Sequence, residues 1–182
     1  QGIHAGSGND LIINEAAIAA SSTAVAPSVD VAVTAKGVSA GISTATSEAV
    51  SIGIDAGQGD DRICNSGDIS ATALANADSI TVDIAGKGVA ASVNDAWDGG
   101  VEATAVAKGI DAGAGSNTVV NSGNIAAEST AVTASVGVSV VGKGVAVSVS
   151  TATATAEAVG IDPGDTTEDL FNSGDISTEA TA

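Results

Sequence analysis

The chain has 182 residues, of which 44% are hydrophobic but only 1% aromatic, and its 22 acidic and 5 basic residues give a net charge of −17. Nucleic-acid binding requires a basic surface, so this charge excludes it and also disfavours anionic membrane surfaces. The apolar residues are mostly Ala, Val and Ile, which suit a thin core between closely stacked chain segments. Cys64 is the only cysteine, so no intrachain disulfide can form. The sequence contains no run of 18 apolar residues and therefore predicts no membrane-spanning helix.

The sequence is organised by a repeated unit that begins with Gly-Ile. The units start at Gly2, Gly53, Gly109 and Gly160, with spacings of 51, 56 and 51 residues. We interpret the chain as a single fragment of a longer array, with repeats 2–52, 53–108, 109–159 and a partial repeat 160–182. The extra residues of the second repeat lie near 94–100, around Trp97, and predict a loop that bulges from the array.

Each unit opens with a glycine-rich loop and a short apolar run that ends in asparagine. We expect these asparagines to form a ladder in an inner turn, with each amide bonded to its neighbour. Cys64 lies in this run, in the register of Ile13, Val120 and Phe171, and we interpret it as a small core-facing hydrophobe. The asparagines are Asn14, Asn65, Asn121 and Asn172.

The next element of each unit alternates apolar with small or polar residues, as in "SVDVAVTA". This period of two predicts a half-buried strand. A Lys-Gly pair at Lys36, Lys87 and Lys143 then predicts a turn into a second alternating strand. The matching apolar positions are Val29, Val31 and Val33; Ile80, Val82 and Ile84; and Val136, Val138 and Val140.

Strands that recur at a fixed period, without helical segments between them, predict an all-β fold, a parallel β-solenoid or β-helix. A unit of about 51 residues is too long for one ordinary coil, so we expect two coils per repeat. A β-sandwich with long hairpins through the Lys-Gly turns is the alternative architecture. The strict repeat and the lack of large core residues favour the solenoid.

The motifs "NSGDI" and "NSGNI", together with the returning "GI", resemble the repeats of large bacterial surface adhesins and autotransporter passengers. The resemblance covers nearly the whole chain. It implies an extracellular or bacterial cell-surface location and an elongated, non-enzymatic stalk or spacer. Its partner would be a surface ligand or another copy of the protein, with no nucleic acid and no membrane insertion.

The loops "AGSGNDLII" and "AGQGDDRIC" resemble the calcium-binding nonapeptide of repeats-in-toxin proteins. The resemblance makes calcium the candidate cofactor, with Asp10 and Asp61 as the first metal ligands and Asp60 as the next. The third copy has Asn117 and the fourth has Glu168 at the same position. Two copies can share an ion only within about 5 Å, and two coils per repeat would separate them by about 10 Å. A tight turn with an acidic rim is the alternative.

Three further expectations concern the polar residues. Asp55, Asp111 and Asp162 form a second acidic column, interrupted by His4, whose carboxylates repel one another unless exposed or neutralised. The stretch "STATATAEA" resembles the spaced threonines of ice-binding β-solenoids, which gives one alternative function. A polysaccharide-acting β-helix enzyme is the least favoured alternative, because the acidic residues recur along the repeat and do not converge. We therefore expect no enzymatic activity.

Overall fold

The computed structural model describes residues 1–94, 100–164 and 169–182, and every regular element in these ranges is a β-strand. No helix occurs among these residues, in line with the all-β prediction. The strands are β1 (Ile3–His4), β2 (Leu11–Asn14), β3 (Ile18–Thr34), β4 (Gly37–Ile42), β5 (Ala45–Asp55), β6 (Arg62–Asn65), β7 (Ile69–Asn94), β8 (Val101–Asp111), β9 (Thr118–Asn121), β10 (Ile125–Ser150), β11 (Ala152–Asp162), β12 (Asp169–Asn172) and β13 (Ile176–Thr181).

The strands form three parallel sheets. Sheet 1 has the order β1-β5-β8-β11, and sheet 3 has the order β2-β6-β9-β12. In sheet 2, β3 and β4 both pair with β7, which is followed by β10 and β13. Within the described ranges every strand pairing is parallel, which is consistent with a β-solenoid and not with the hairpins of the alternative sandwich.

The register shows that each repeat passes once through each sheet. Ile3 pairs with Ile54, Ile54 with Ile110, and Ile110 with Ile161, at separations of 51, 56 and 51 residues. The prediction of two coils per repeat is therefore wrong. The separation changes from 51 at Val93 to 56 at Val101, so the extra residues lie between these two positions. Trp97 itself lies outside the described residues.

One coil absorbs so many residues because sheet 2 extends into an arm, formed by residues 28–43, 79–94 and 135–150. The chain runs outward in a first layer, bends at the Lys-Gly corner and returns in a second layer. The two layers face each other, since the Ser28 and Ser43 hydroxyls are 2.8 Å apart. At the corner Gly88 has φ of 126°, and an added Cβ would lie 1.9 Å from the Gly37 oxygen of the adjacent coil.

Two clusters of small apolar side chains form the core. Between sheets 1 and 2, alanines from both sheets pack against one another, among them Ala73, Ala75 and Ala105. Where the three sheets meet, the column of Ile54 and Ile110 packs against isoleucines of the other two sheets. Ala side chains permit close sheet packing, so this core needs no aromatic residue.

The alternating strands of the arm have the predicted period, but their apolar side chains face outward. Val31 is 59% exposed, whereas Thr81 and Asp83 on the inward side are fully buried. Parity explains this orientation. β7 runs without a bulge from the core alanines at 71–77 into the arm, so the inward stripe continues through residues 79, 81 and 83. The apolar residues at even positions of β7 must therefore face outward, and so must their register partners, such as Val31 beside Val82.

The same correction applies to Cys64. The structure keeps it in register with Ile13, Val120 and Phe171, but this column faces outward and Phe171 is 63% exposed. Cys64 itself is half-buried. The preceding column faces the core, because Ile63 at that position is completely buried. The interpretation of Cys64 as core-facing is therefore wrong.

Candidate functional site

The four equivalent asparagines form the predicted ladder. The Nδ2 atom of Asn65 donates to Oδ1 of Asn121 at 2.6 Å and to the Gly67 carbonyl at 2.8 Å, and the same pattern repeats along the column. Asn65 and Asn121 are 3% and 1% exposed. Each buried amide thus satisfies the amide of the next coil and closes its own turn, which is a structural role.

The glycine-rich loops stack directly on one another beside this ladder. Gly57 and Gly59 have φ of 96° and 132°, a region that residues with a Cβ rarely adopt. A Cβ at Gly57 would also lie 1.8 Å from the oxygen of Gly6 in the adjacent coil. The glycines therefore allow the loops to approach as closely as paired strands do.

This stacking brings Asp10 and Asp61 together. The backbone N–H of Asp10 donates to Oδ1 of Asp61 at 2.8 Å, and the N–H of Asp61 donates to Oδ1 of Asn117 at 2.9 Å. Asp61 is only 2% exposed. The Oδ2 atoms of both aspartates are buried and have no hydrogen-bond partner. Two neighbouring carboxylates therefore each keep one oxygen that no protein donor satisfies.

Asp60 belongs to a different column, on the exposed side of the loop. Its N–H donates to Oδ1 of Asn9 at 2.9 Å, and its own Oδ1 accepts the N–H of Ser116 at 2.8 Å. The third sequence candidate is therefore not placed in a common cluster with Asp10 and Asp61. Glu168 lies outside the described residues.

The donor set fits a divalent cation only in part. Calcium takes six to eight oxygen ligands, and the described residues contain no group of three or more His, Cys, Asp or Glu side chains suited to a metal. The loop carbonyls of Gly6 and Gly57 already accept backbone N–H groups of the next coil, at 2.8 and 2.9 Å. The two unpartnered Oδ2 atoms would supply the charge, and water would have to supply most of the remaining ligands.

A basic side chain contacts each carboxylate of the second acidic column. His4 Nδ1 lies 3.0 Å from Asp55, and Lys108 Nζ lies 2.8 Å from Asp111 and 2.6 Å from Asp162. Burial alone would lower the pKa of Lys108, but its hydrogen bonds to Asp111 and Asp162 outweigh burial and raise it. The hydrogen bond from Lys108 in turn lowers the pKa of Asp162. Lys108 thus bridges two coils.

Sequence reasoning missed both Lys108 and a buried carboxylate in the arm. The register equivalent of Lys108 in the first repeat is Ile52, and this isolated change from apolar to basic beside an acidic column was the available indication. Inside the arm, Asp83 accepts hydrogen bonds from the hydroxyls of Ser39 and Ser92, at 3.1 and 2.6 Å. Asp83 was missed because period two does not say which side of its strand faces inward.

No protein-family model, curated protein or solved structure matches this chain. Among the described residues, no helix has the length and apolar character needed to cross a membrane.

Proposed function

We propose that this chain is a non-enzymatic structural segment, a spacer, of a secreted or bacterial cell-surface repeat protein of the adhesin type that its repeats resemble. The asparagine ladder carries the proposal. Asn65 and Asn121 use their side-chain amides to bind the coils above and below. Polar groups whose hydrogen bonds join the coils favour a structural role, since a binding or catalytic site needs polar groups that remain available to a ligand.

The distribution of carboxylates favours a spacer over a polysaccharide-acting enzyme. Glycoside hydrolysis requires two carboxyl groups that converge on one bond. Here the neighbouring carboxylates are engaged between coils, since Asp61 accepts the N–H of Asp10, and Asp111 and Asp162 share the Lys108 ammonium. Asp83 is enclosed in the arm by two serine hydroxyls. These three environments are separate, and each serves contacts between or within coils.

The outward face of sheet 1 favours a spacer over an ice-binding function. Thr153, from the threonine-rich stretch, pairs with Glu102, which in turn pairs with Thr46. In the next outward column Glu48 pairs with Thr104. An exposed carboxylate therefore interrupts each of these two threonine rows, and a regular lattice of hydroxyl groups does not form.

The Asp10–Asp61 pair supports a stabilising cation as part of this proposal. Asp61 is buried and Asp10 is half-buried, and their neighbouring carboxylates repel each other. A bound cation would remove that repulsion. Calcium is the candidate because its ligands are hard oxygens and because it accepts water in its coordination shell. If calcium binds only the native state, it stabilises the fold by about 2.7 kcal/mol at a hundredfold excess over Kd.

Thermal melting with calcium and with EDTA tests the cation. Calcium should raise the melting temperature of the unmodified chain. Asp61→Asn should lose most of this rise, because the amide keeps Oδ1 as an acceptor but removes the charge. Asp60→Asn is the matched control in the exposed column and should retain the rise. An equal calcium response in both variants would contradict this site, and no response in any protein would remove the cation while leaving the spacer intact.

The spacer itself is tested by location and by chemistry. Antibodies raised against the purified chain should label intact cells that express the parent protein, without permeabilisation. Labelling only after permeabilisation would contradict a cell-surface role. Hydrolysis of a polysaccharide panel by the purified chain, lost on replacement of a single carboxylate, would overturn the non-enzymatic assignment.

A further inference from the structure

The first layer of the arm presents a flat apolar surface, which we call the arm face. It consists of the outward side chains at alternate positions of three neighbouring strands, and none of these side chains is charged. Eight of its nine side chains are between 40% and 69% exposed, which is high for β-branched residues, and Val82 at its centre is half-buried. The arm face comprises Val29, Val31, Val33, Ile80, Val82, Ile84, Val136, Val138 and Val140.

The size of the arm face suits a protein interface. One β-branched side chain carries roughly 60–120 Å² of apolar surface, since its burial contributes about 1.5–3 kcal/mol at about 25 cal/mol per Å². Nine half-exposed side chains then offer roughly 300–500 Å². Val25, Leu74 and Val132, which are 63%, 38% and 46% exposed, continue the same surface toward the core. The total, roughly 400–700 Å², reaches the lower end of the roughly 600–1,000 Å² that each partner buries in a standard interface.

Charge identifies which partner fits. The chain carries a net charge of −17, so copies repel one another over most of their surface. The arm face has no carboxylate, and three of the five basic residues stack at its tip, where Lys87 pairs in register with Lys143. An anionic lipid surface carries negative charge across the whole contact, whereas a second copy can present an arm face that has none. A second copy can approach this surface with little repulsion.

The strand segment from Asp78 to Lys87 is also complementary to itself. Asp78, Ile80, Val82 and Ile84 occupy its outward, even-numbered positions, with the Asp78 carboxylate partly exposed. Lys87 is exposed at the corner just beyond them. A two-fold axis near Val82 would place Lys87 of each copy opposite Asp78 of the other, with the apolar side chains stacked between. This is the same-patch contact that two-fold dimers use. Sheets that stack face to face lie about 10 Å apart, which places the side chains of both faces in contact.

We propose that the chain pairs with a second copy of itself through the arm face, about a two-fold axis near Val82. The pairing requires neither the cation nor the spacer function, because it depends only on the surface of the arm. Each copy would bury its outward valines and isoleucines against those of its partner, and two Asp78–Lys87 pairs would fix the direction in which the arms cross.

Sedimentation velocity of the purified chain over a range of concentrations tests the pairing. The unmodified chain should show a concentration-dependent dimer. Val82→Glu places a carboxylate from each copy beside the axis, and like charges facing each other cost several kcal/mol, so the dissociation constant should rise about 100-fold or more. Val50→Glu is the matched control, since Val50 is 42% exposed on the outward face of sheet 1. Its dimer should match that of the unmodified chain.

A charge exchange provides a second, orientation-specific measurement. Asp78→Lys alone should weaken the dimer, and adding Lys87→Asp should restore it, because the pair then forms with its signs reversed. Far-UV circular dichroism and melting of each variant establish that the monomer remains folded. A monomeric unmodified chain at every concentration, or equal dimerisation of the Val82 and Val50 variants, would overturn the proposal. A monomer that floats with phospholipid vesicles would overturn it in favour of a lipid surface.

Discussion

Replacing Asn121 by alanine should destabilise the chain because it breaks the ladder in the middle. The substitution removes three hydrogen bonds: two from Nδ2, to Gly123 at 2.8 Å and to Asn172 at 2.6 Å, and one accepted from Asn65 at 2.6 Å. At about 0.5–1.5 kcal/mol each, the sum is about 1.5–4.5 kcal/mol. Asn65 keeps its bond to Gly67, and the exposed Asn172 can bind water, so we expect about 2–3 kcal/mol.

Urea unfolding monitored by circular dichroism measures this loss as a lower midpoint with an unchanged m value. In thermal melting, the same loss corresponds to a decrease of about 4–12 °C for a chain of this size. Asn172→Ala is the control at the exposed end of the ladder and should cost less than about 1 kcal/mol, because water replaces the lost partners. Equal shifts for Asn121→Ala and Asn172→Ala would refute the argument that buried amide stacking stabilises the coils.

Two further substitutions test other contacts between coils. Lys108→Met should cost about 1 kcal/mol of unfolding free energy at neutral pH, as expected for partly exposed ion pairs. Lys108 has a raised pKa and Asp162 a lowered one, so the difference in unfolding free energy between the two proteins should be fully present between pH 3.8 and 10.5, the ordinary pKa values of the two groups. It should disappear as Asp162 is protonated in acid. A difference that persists in strong acid would contradict the ion pair. Gly88→Ala should destabilise more than Gly37→Ala, because both residues have positive φ but only at Gly88 would a Cβ meet the adjacent coil, whereas nothing lies within 4 Å at Gly37. Equal midpoints in urea for these two variants would show that corner stacking adds nothing beyond backbone strain.

The sequence was most informative where equivalent residues must touch. The spacing of Asn65 and Asn121 predicted their ladder, because a side chain that bonds its own copy must recur at the period of the coil. Period two alone could not say which side of the arm faces inward, since both sides of an alternating strand satisfy it. The alanines before Ser79 held that information, because an unbroken strand keeps its parity. Lys108 was missed because it departs from the repeat, and a search for repeats averages such residues away.

The coil count was wrong because a period measures chain length per circuit and carries no information on the path. The Lys-Gly corner was correctly expected to be a turn, but a turn within one sheet and a turn between sheets have the same local sequence. Gly88 at this corner is required by contact with Gly37 of the adjacent coil, and this contact exists only once the coils are stacked.

The single circuit per repeat determines how far the solenoid extends along its axis for each residue of chain. A circuit of about 51 residues advances the axis by one strand spacing, about 4.7–4.9 Å, or roughly 0.1 Å per residue. An α-helix advances 1.5 Å per residue. Reaching 100 Å from an attachment point would take about 20 circuits, or roughly 1,000 residues. Each added repeat therefore adds a complete circuit of side-wall surface but lengthens the molecule by only one strand spacing.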